Sequence, residues 1–172
     1  MKHKITVGID SSTSSTGWAF RDENGNIKHG IAKGKSSDWF ERSRQIANNL
    51  VDILKDYDII NIVIEKPIKK GSIDTTIKCS IANGIVIGAL PHACSMEVLP
   101  SEWRSWYGLK GGNKTGQTKR TDWKEAAIQE ALKLGYKISY KVNKKGEKIY
   151  IDDEAEAITV SYTHLTLPTK RI

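Results

Sequence analysis

The chain has 172 residues, 38% hydrophobic and 27% charged, enough for one domain with a sizeable core. Lys and Arg number 27 against 20 Asp and Glu, and the resulting charge of +7 points toward a polyanionic partner, most often nucleic acid. No apolar leader opens the chain, and the longest apolar stretch, IANGIVIGAL, is too short to span a bilayer. Cys79 and Cys94 stand apart without metal-ligand spacing or a disulfide framework. These features exclude a membrane protein and a disulfide scaffold, and they fit a reducing cytoplasm.

Residues 4–10 read as a strand ending in Asp10, followed by the small polar run SSTSST and Gly17. A second strand is expected around Thr16–Arg21 and a third around Ile27–Lys33, with ENGN as the hairpin turn between them. Ser36 or Ser37 is expected to cap a long helix in which Phe40, Ser43, Ala47, Leu50 and Leu54 recur at helical spacing. IINIVIEKP is a nearly continuous β-branched run, as in a strand buried on both faces. It ends at Glu65 and is stopped by Pro67.

A second helix spans about Ser72–Leu90, with Ile73, Ile77, Ile81 and Ile85 along one stripe. SMEVLP reads as a fifth strand. SEWRSWYGL and a glycine- and lysine-rich loop follow, then the helix TDWKEAAIQEALKL, closed by Gly135. YKISYKVNKKGEKIYI reads as a basic hairpin, and DDEAEAI starts a last helix. An antiparallel start with parallel additions through crossover helices predicts an α/β fold, a mixed sheet flanked by helices.

Neighbouring strands lie about 4.8 Å apart. If the first and fourth strands are parallel neighbours, Asp10 and Glu65 stand side by side at their C-terminal ends, where such sheets bind ligands. Asp153 and Glu156 are three apart and share a helix face, while Asp152 reads as the N-cap and Glu154 points elsewhere. Four converging acids repel one another unless cations intervene, and hard oxygen ligands suit Mg²⁺ or Mn²⁺. Each acid also has a plainer reading: a turn at Asp10, a lysine partner for Glu65, a helix N-terminus for the DDEAE acids.

VGIDSSTSSTGWAF, VIEKP and DDEAEAI, in this order and spacing across about residues 4–159, resemble the RuvC-type Holliday junction resolvases of the RNase H-like superfamily, phage-borne versions in particular. The resemblance implies a five-stranded sheet in the order 3-2-1-4-5 and a homodimer that cuts branched DNA inside the bacterial or phage-infected cell. It implies an active site in which Asp10, Glu65, Asp153 and Glu156 hold two Mg²⁺ ions. The sequence departs from the family in having Glu156 where an Asp is usual. Lys66, Lys69 and Lys70 stand where some cellular resolvases carry an aromatic residue.

Lys66, Lys69 and Lys70, with Lys110, Lys114, Lys119, Arg120 and Lys124 of the glycine-rich segment, are the expected phosphate contacts. Gly17 and the small Ser11–Ser15 segment are expected to let a phosphodiester backbone approach. Trp103, Trp106 and Trp123 are expected to pack against helices before they stack on bases. VSYTHLTLPTKRI resembles a translated sequencing adapter, so residues 160–172 are set apart from the domain, His164 with them. Two other functions stay open: a catalytically idle module for branched nucleic acid, and an actin-like ATPase or kinase fragment, whose opening strand also reads GID.

Overall fold

The computed structural model describes residues 2–22, 24–25, 27–68, 72–106 and 120–166, without the side chains of residues 27, 106, 120–123 and 162–166. The elements run β1 (His3–Ser11), β2 (Ser15–Asp22), β3 (Ile27–Lys33), α1 (Trp39–Leu54), β4 (Tyr57–Glu65), α2 (Ile73–Ala89), β5 (Cys94–Val98), α3 (Pro100–Trp106), α4 (Arg120–Lys133), β6 (Tyr140–Val142), β7 (Lys148–Tyr150) and α5 (Asp152–Thr166). Five strands form one sheet in the order β3-β2-β1-β4-β5, as expected, and β6 and β7 form a separate two-stranded hairpin. β1 pairs antiparallel with β2 and parallel with β4.

The alternation of side chains sorts the sheet into two cores. Ile5, Val7 and Ile9 of β1 and Ile62 and Ile64 of β4 pack with α1 and α2. The intervening positions face the other way, where Ala19, Val63 and Val98 pack with Trp103 of α3 and the apolar faces of α4 and α5. Asp10 and Glu65 have the parity of this second face.

The second face is shaped by what it lacks. A Cβ on Gly8 would stand 2.6 Å from the Ser161 backbone nitrogen, and one on Gly17 would collide with the Asp153 carbonyl oxygen. Two glycines therefore let α5 lie directly on β1 and β2. Gly17 serves this helix contact rather than the expected approach of a phosphodiester. α5 runs without a break through position 160 to Thr166, and Val160 and Ser161 are buried in its packed face. Residues 167–172 lie outside the described residues.

Other expectations shift in detail. Asp38, not Ser36 or Ser37, caps α1, accepting the Glu41 amide at 2.8 Å. The serine carbonyls are held in the preceding loop by Arg42, at 2.7 and 3.1 Å. Phe40 is exposed, and so are Ile73, Ile77 and Ile81 of the α2 stripe. α2 turns its smaller residues, Ala82 and Val86, inward instead. β4 is buried on both faces only over Ile62–Ile64, because Ile60 is an extra residue at a register shift and faces solvent. Among the described residues no helix is long and apolar enough to cross a membrane.

Gly17→Ala forces a methyl group into the α5 backbone, so it should destabilise the fold by about 3 kcal/mol, the upper end for overpacking. A denaturant midpoint equal to that of the unmodified chain would mean that α5 does not rest on β2.

Candidate active site

Four acids from three elements line one cavity of about 430 Å³: Asp10 from the end of β1, Glu65 from the end of β4, and Asp153 and Glu156 from the first two turns of α5. The parallel register that pairs Ile9 with Ile64 puts the two strand-end acids level with each other. Glu65 is fixed from both sides. Its backbone carbonyl accepts from the Asn83 side chain at 3.1 Å, and the next amide, of Lys66, donates to Val98 at 2.8 Å.

Each carboxylate has its own neighbour. Trp103, fully buried, donates its indole Nε1–H to Glu65 Oε2 at 2.7 Å. The Ser15 hydroxyl donates to Asp153 Oδ2 at 2.5 Å. Asp10 and Glu156 share a hydrogen bond. Burial, followed by repulsion from Glu156, Glu65 and Asp153, pushes Asp10 well above the usual carboxylate range. Burial and Glu65 also raise Glu156, partly offset by Lys124 and Arg104.

One proton shared between Asp10 and Glu156 is what two crowded carboxylates without a cation require. Among the described residues, no three His, Cys, Asp or Glu side chains stand in the arrangement of a formed metal site. The donor set still fits a hard divalent cation. All four groups are oxygen donors, Asp10 is buried and crowded by three other acids, and the buried Ser11 hydroxyl on the cavity wall has no hydrogen-bond partner among the described residues.

Asp152 is the first residue of α5 rather than its N-cap. It pairs with Lys124 outside the acid cluster, whereas Asp153 lines the cavity. Lys124, expected as a phosphate contact, lines the cavity and has Asp152 as its carboxylate partner. Lys66 also lines the cavity and pairs with Glu97 at 3.5 Å. Lys69, Lys70, Lys110, Lys114 and Lys119 lie outside the described residues, and Arg120 is described only in its backbone.

Sequence reasoning missed three contributors. Arg104 brings a permanent cation to the cavity wall, its guanidinium 5.0 Å from the Trp103 ring centre. Trp103 does pack in the core as expected, but its indole also holds a candidate ligand. Glu154 points away from the cavity, as expected, and is buried rather than solvated. Its carboxylate meets His29 Nδ1 of β3 at 2.6 Å and accepts the Ser139 amide at 2.8 Å. Burial pushes Glu154 up, but these hydrogen bonds outweigh it and hold the group below its ordinary value. The pair clamps the first turn of α5 to the sheet, and with it the angle at which Asp153 and Glu156 enter the cavity.

A family model described as Lactococcus phage M3 protein matches residues 1–138. No curated protein matches the chain. Among solved structures, Thermus thermophilus RuvC in complex with a Holliday junction substrate is 16% identical, with a TM-score of 0.63 over 94% of this chain and 92% of that one. A second Thermus thermophilus RuvC structure is 15% identical, with a TM-score of 0.57 over 94% and 93%. At such identities the likeness is one of fold: an RNase H-like mixed sheet in the order 3-2-1-4-5 with flanking helices.

The titrations give opposite signs on the two sides of an acidic optimum. The native Asp10–Glu156 pair holds on to a proton that the unfolded chain releases above about pH 4.3, so without added metal stability should fall as pH rises toward neutral. Below that point the unfolded chain takes up a proton that native Glu154 refuses, so stability should fall again. Asp10→Asn should flatten the neutral arm and leave the acid arm in place, as read from chemical denaturation between about pH 3.5 and pH 8.

Proposed function

The chain belongs to the Lactococcus phage M3 protein family, and we propose that it is a metal-dependent endonuclease that cuts phosphodiester bonds in branched DNA such as Holliday junctions. The observation that carries this reading is the convergence of Asp10, Glu65, Asp153 and Glu156 on one cavity that Arg104, Lys124 and Lys66 also line. Its RuvC-like sheet and positive net charge are consistent with it. A DNA-processing role inside the bacterial or phage-infected cell follows.

In this reading the four acids would hold Mg²⁺, or Mn²⁺ in its place, as a pair of ions. When bound, such ions lower the pKa of water and neutralise the charge that develops on the leaving oxygen. The chain's own residues prepare the site. Trp103 holds one Glu65 oxygen and leaves the other free. Ser15 does the same for Asp153. Arg104, locked over Trp103, and Lys66 and Lys124 beside it draw the anionic backbone to an otherwise repulsive cluster of acids.

Lys69, Lys70, Lys110, Lys114, Lys119 and Arg120 would extend that attraction along the DNA. Residues 160–172 are read as translated adapter, in which case Ser161 takes the place of a residue that must be small wherever α5 crosses Gly8.

Asp10→Asn should leave junction binding intact or tighter, because a repulsion toward phosphate is relieved. It should lower cleavage about a thousandfold, some 4 kcal/mol of transition-state stabilisation. Labelled four-way, three-way, flap and linear DNA incubated with Mg²⁺ or Mn²⁺ provide the assay. Equal cutting by both proteins would reduce Asp10 to a turn residue. Binding without cutting by the unmodified chain would favour an idle binding module.

A homodimer is part of the proposal, and α2 offers the surface for a second copy. Ile73, Ile77 and Ile81 are 63%, 53% and 38% exposed along one helical stripe, with exposed Ile68 just before it. A stripe of this kind on a single chain is costly to leave in water. Ile77→Lys should convert a dimer to a monomer in sedimentation velocity while leaving the thermal midpoint within a few degrees, since the side chain is 53% exposed.

A further inference from the structure

The β6–β7 hairpin is a sheet separate from the five-stranded one, half-buried Tyr150 packs it against the second core, and the residues matched by the family model end at 138, before it begins. Residues 136–151 carry five lysines (Lys137, Lys141, Lys144, Lys145 and Lys148) against one acid, Glu147. That acid is already engaged by the Asn143 side chain at 2.7 Å. None of the four lysines from Lys141 onward forms an ion pair among the described residues. Tyr140, Val142 and Ile149 are 47%, 61% and 55% exposed.

The register pairs Tyr140 with Tyr150 and Val142 with Lys148. One face therefore carries two tyrosines with edge-to-face rings 6.0 Å apart, Tyr150 packed against the second core and Tyr140 left exposed, and Lys148 Nζ lies 4.5 Å from the Tyr140 ring centre.

The hairpin is ordered at both ends. At the tip, the Asn143 side-chain oxygen accepts the amides of Lys145 and Glu147 at 2.8 and 2.9 Å, and Gly146 supplies the positive φ of 82° that closes the turn. At the base, the Ile151 amide donates to Ser139 at 2.9 Å, while the Ser139 amide is held by buried Glu154 of α5. The same carboxylate that clamps α5 thus fixes the hairpin to the helix carrying Asp153 and Glu156. Only Ile151 separates β7 from that helix. Three residues of strand extend about 10 Å, so Lys144 and Lys145 stand within roughly one helical turn of DNA from the acids.

We propose that the β6–β7 hairpin is a DNA-contacting arm that grips the phosphate backbone of the duplex adjoining the scissile bond, with Tyr140 offering a stacking face to an unpaired base at the branch. A lysine-edged aromatic ribbon matches a polyanion with exposed bases in charge and in shape. The assignment rests on the nuclease reading for its substrate, but not for its own test.

The test is anisotropy of a labelled four-way junction and of linear duplex with the full chain, Ca²⁺ replacing Mg²⁺, across a salt series. Replacing Lys141, Lys144, Lys145 and Lys148 together by Ala should weaken binding to both DNAs more than tenfold. It should also lower the salt slope by about 2 to 4, at about 0.9 for each phosphate no longer neutralised. Tyr140→Ser should weaken junction binding about tenfold and duplex binding much less. Circular dichroism and a thermal midpoint matching the unmodified chain verify that the exposed substitutions leave the fold alone.

Unchanged affinity and slope in the lysine variant, beside an unmodified chain that binds, would overturn the arm and leave the nuclease reading standing. Lost binding in the variant, with an unmodified chain that binds but never cuts, would support the arm and sink the nuclease. An unmodified chain that binds no DNA overturns both. A variant whose only change is a lower sedimentation coefficient would assign the hairpin to a second copy of the chain and overturn the arm.

Discussion

The close approach of α5 to the sheet is the constraint on which the rest of this molecule depends. Side chains normally hold a helix about 10 Å from a sheet; here Gly8 and Gly17 remove them at the two points where the helix crosses β1 and β2. The helix sinks toward the strands, and its first two turns come level with the strand ends. Asp153 and Glu156 can then face Asp10 across a few ångströms instead of looking over it. Glu154 and His29 lock the rotation of the same turn from its far side. A larger side chain at either glycine would separate the halves of the cavity before any acid was touched.

That placement accounts for the unfavourable electrostatics. Proteins bury carboxylates only with compensation, and this chain assembles four around one cavity with two cations, Arg104 and Lys124, close enough to lower Glu156. The remaining excess, together with burial, pushes Asp10 and Glu156 above the usual carboxylate range. In the proposed function, bound cations relieve that crowding, and the cationic walls give an anionic backbone a reason to come near.

Much of this was legible in the residues. The strand order was what the family resemblance implied, and the convergence of Asp10, Glu65, Asp153 and Glu156 was expected from the runs ending at Asp10 and Glu65 and from the three-residue spacing on the last helix. What was not legible depends on partners distant in sequence. Nothing around Glu154 announces that His29, 125 positions earlier, will take its charge inside the protein. Trp103 reads as packing because its shape dominates; its single N–H finds Glu65 only once α3 is folded against β4. Gly17 reads as an opening for substrate because a glycine beside an acid suits that role, and the helix that fills the space lies far along the chain. The isoleucines of α2 recur every fourth residue, close to the helical period, but period alone does not say which side of a helix faces water.

The cavity draws its acids from distant parts of the chain, with 88 positions from Glu65 to Asp153. At about 5–20 residues per second, a ribosome adds those residues in roughly 4–18 s. Through that interval the nascent sheet carries only Asp10 and Glu65, and the groove floored by Gly8 and Gly17 lies open to solvent. An arrangement that needs all four acids is therefore absent from the growing polypeptide until the late helix emerges and docks, which makes synthesis of that helix the step that completes the cavity.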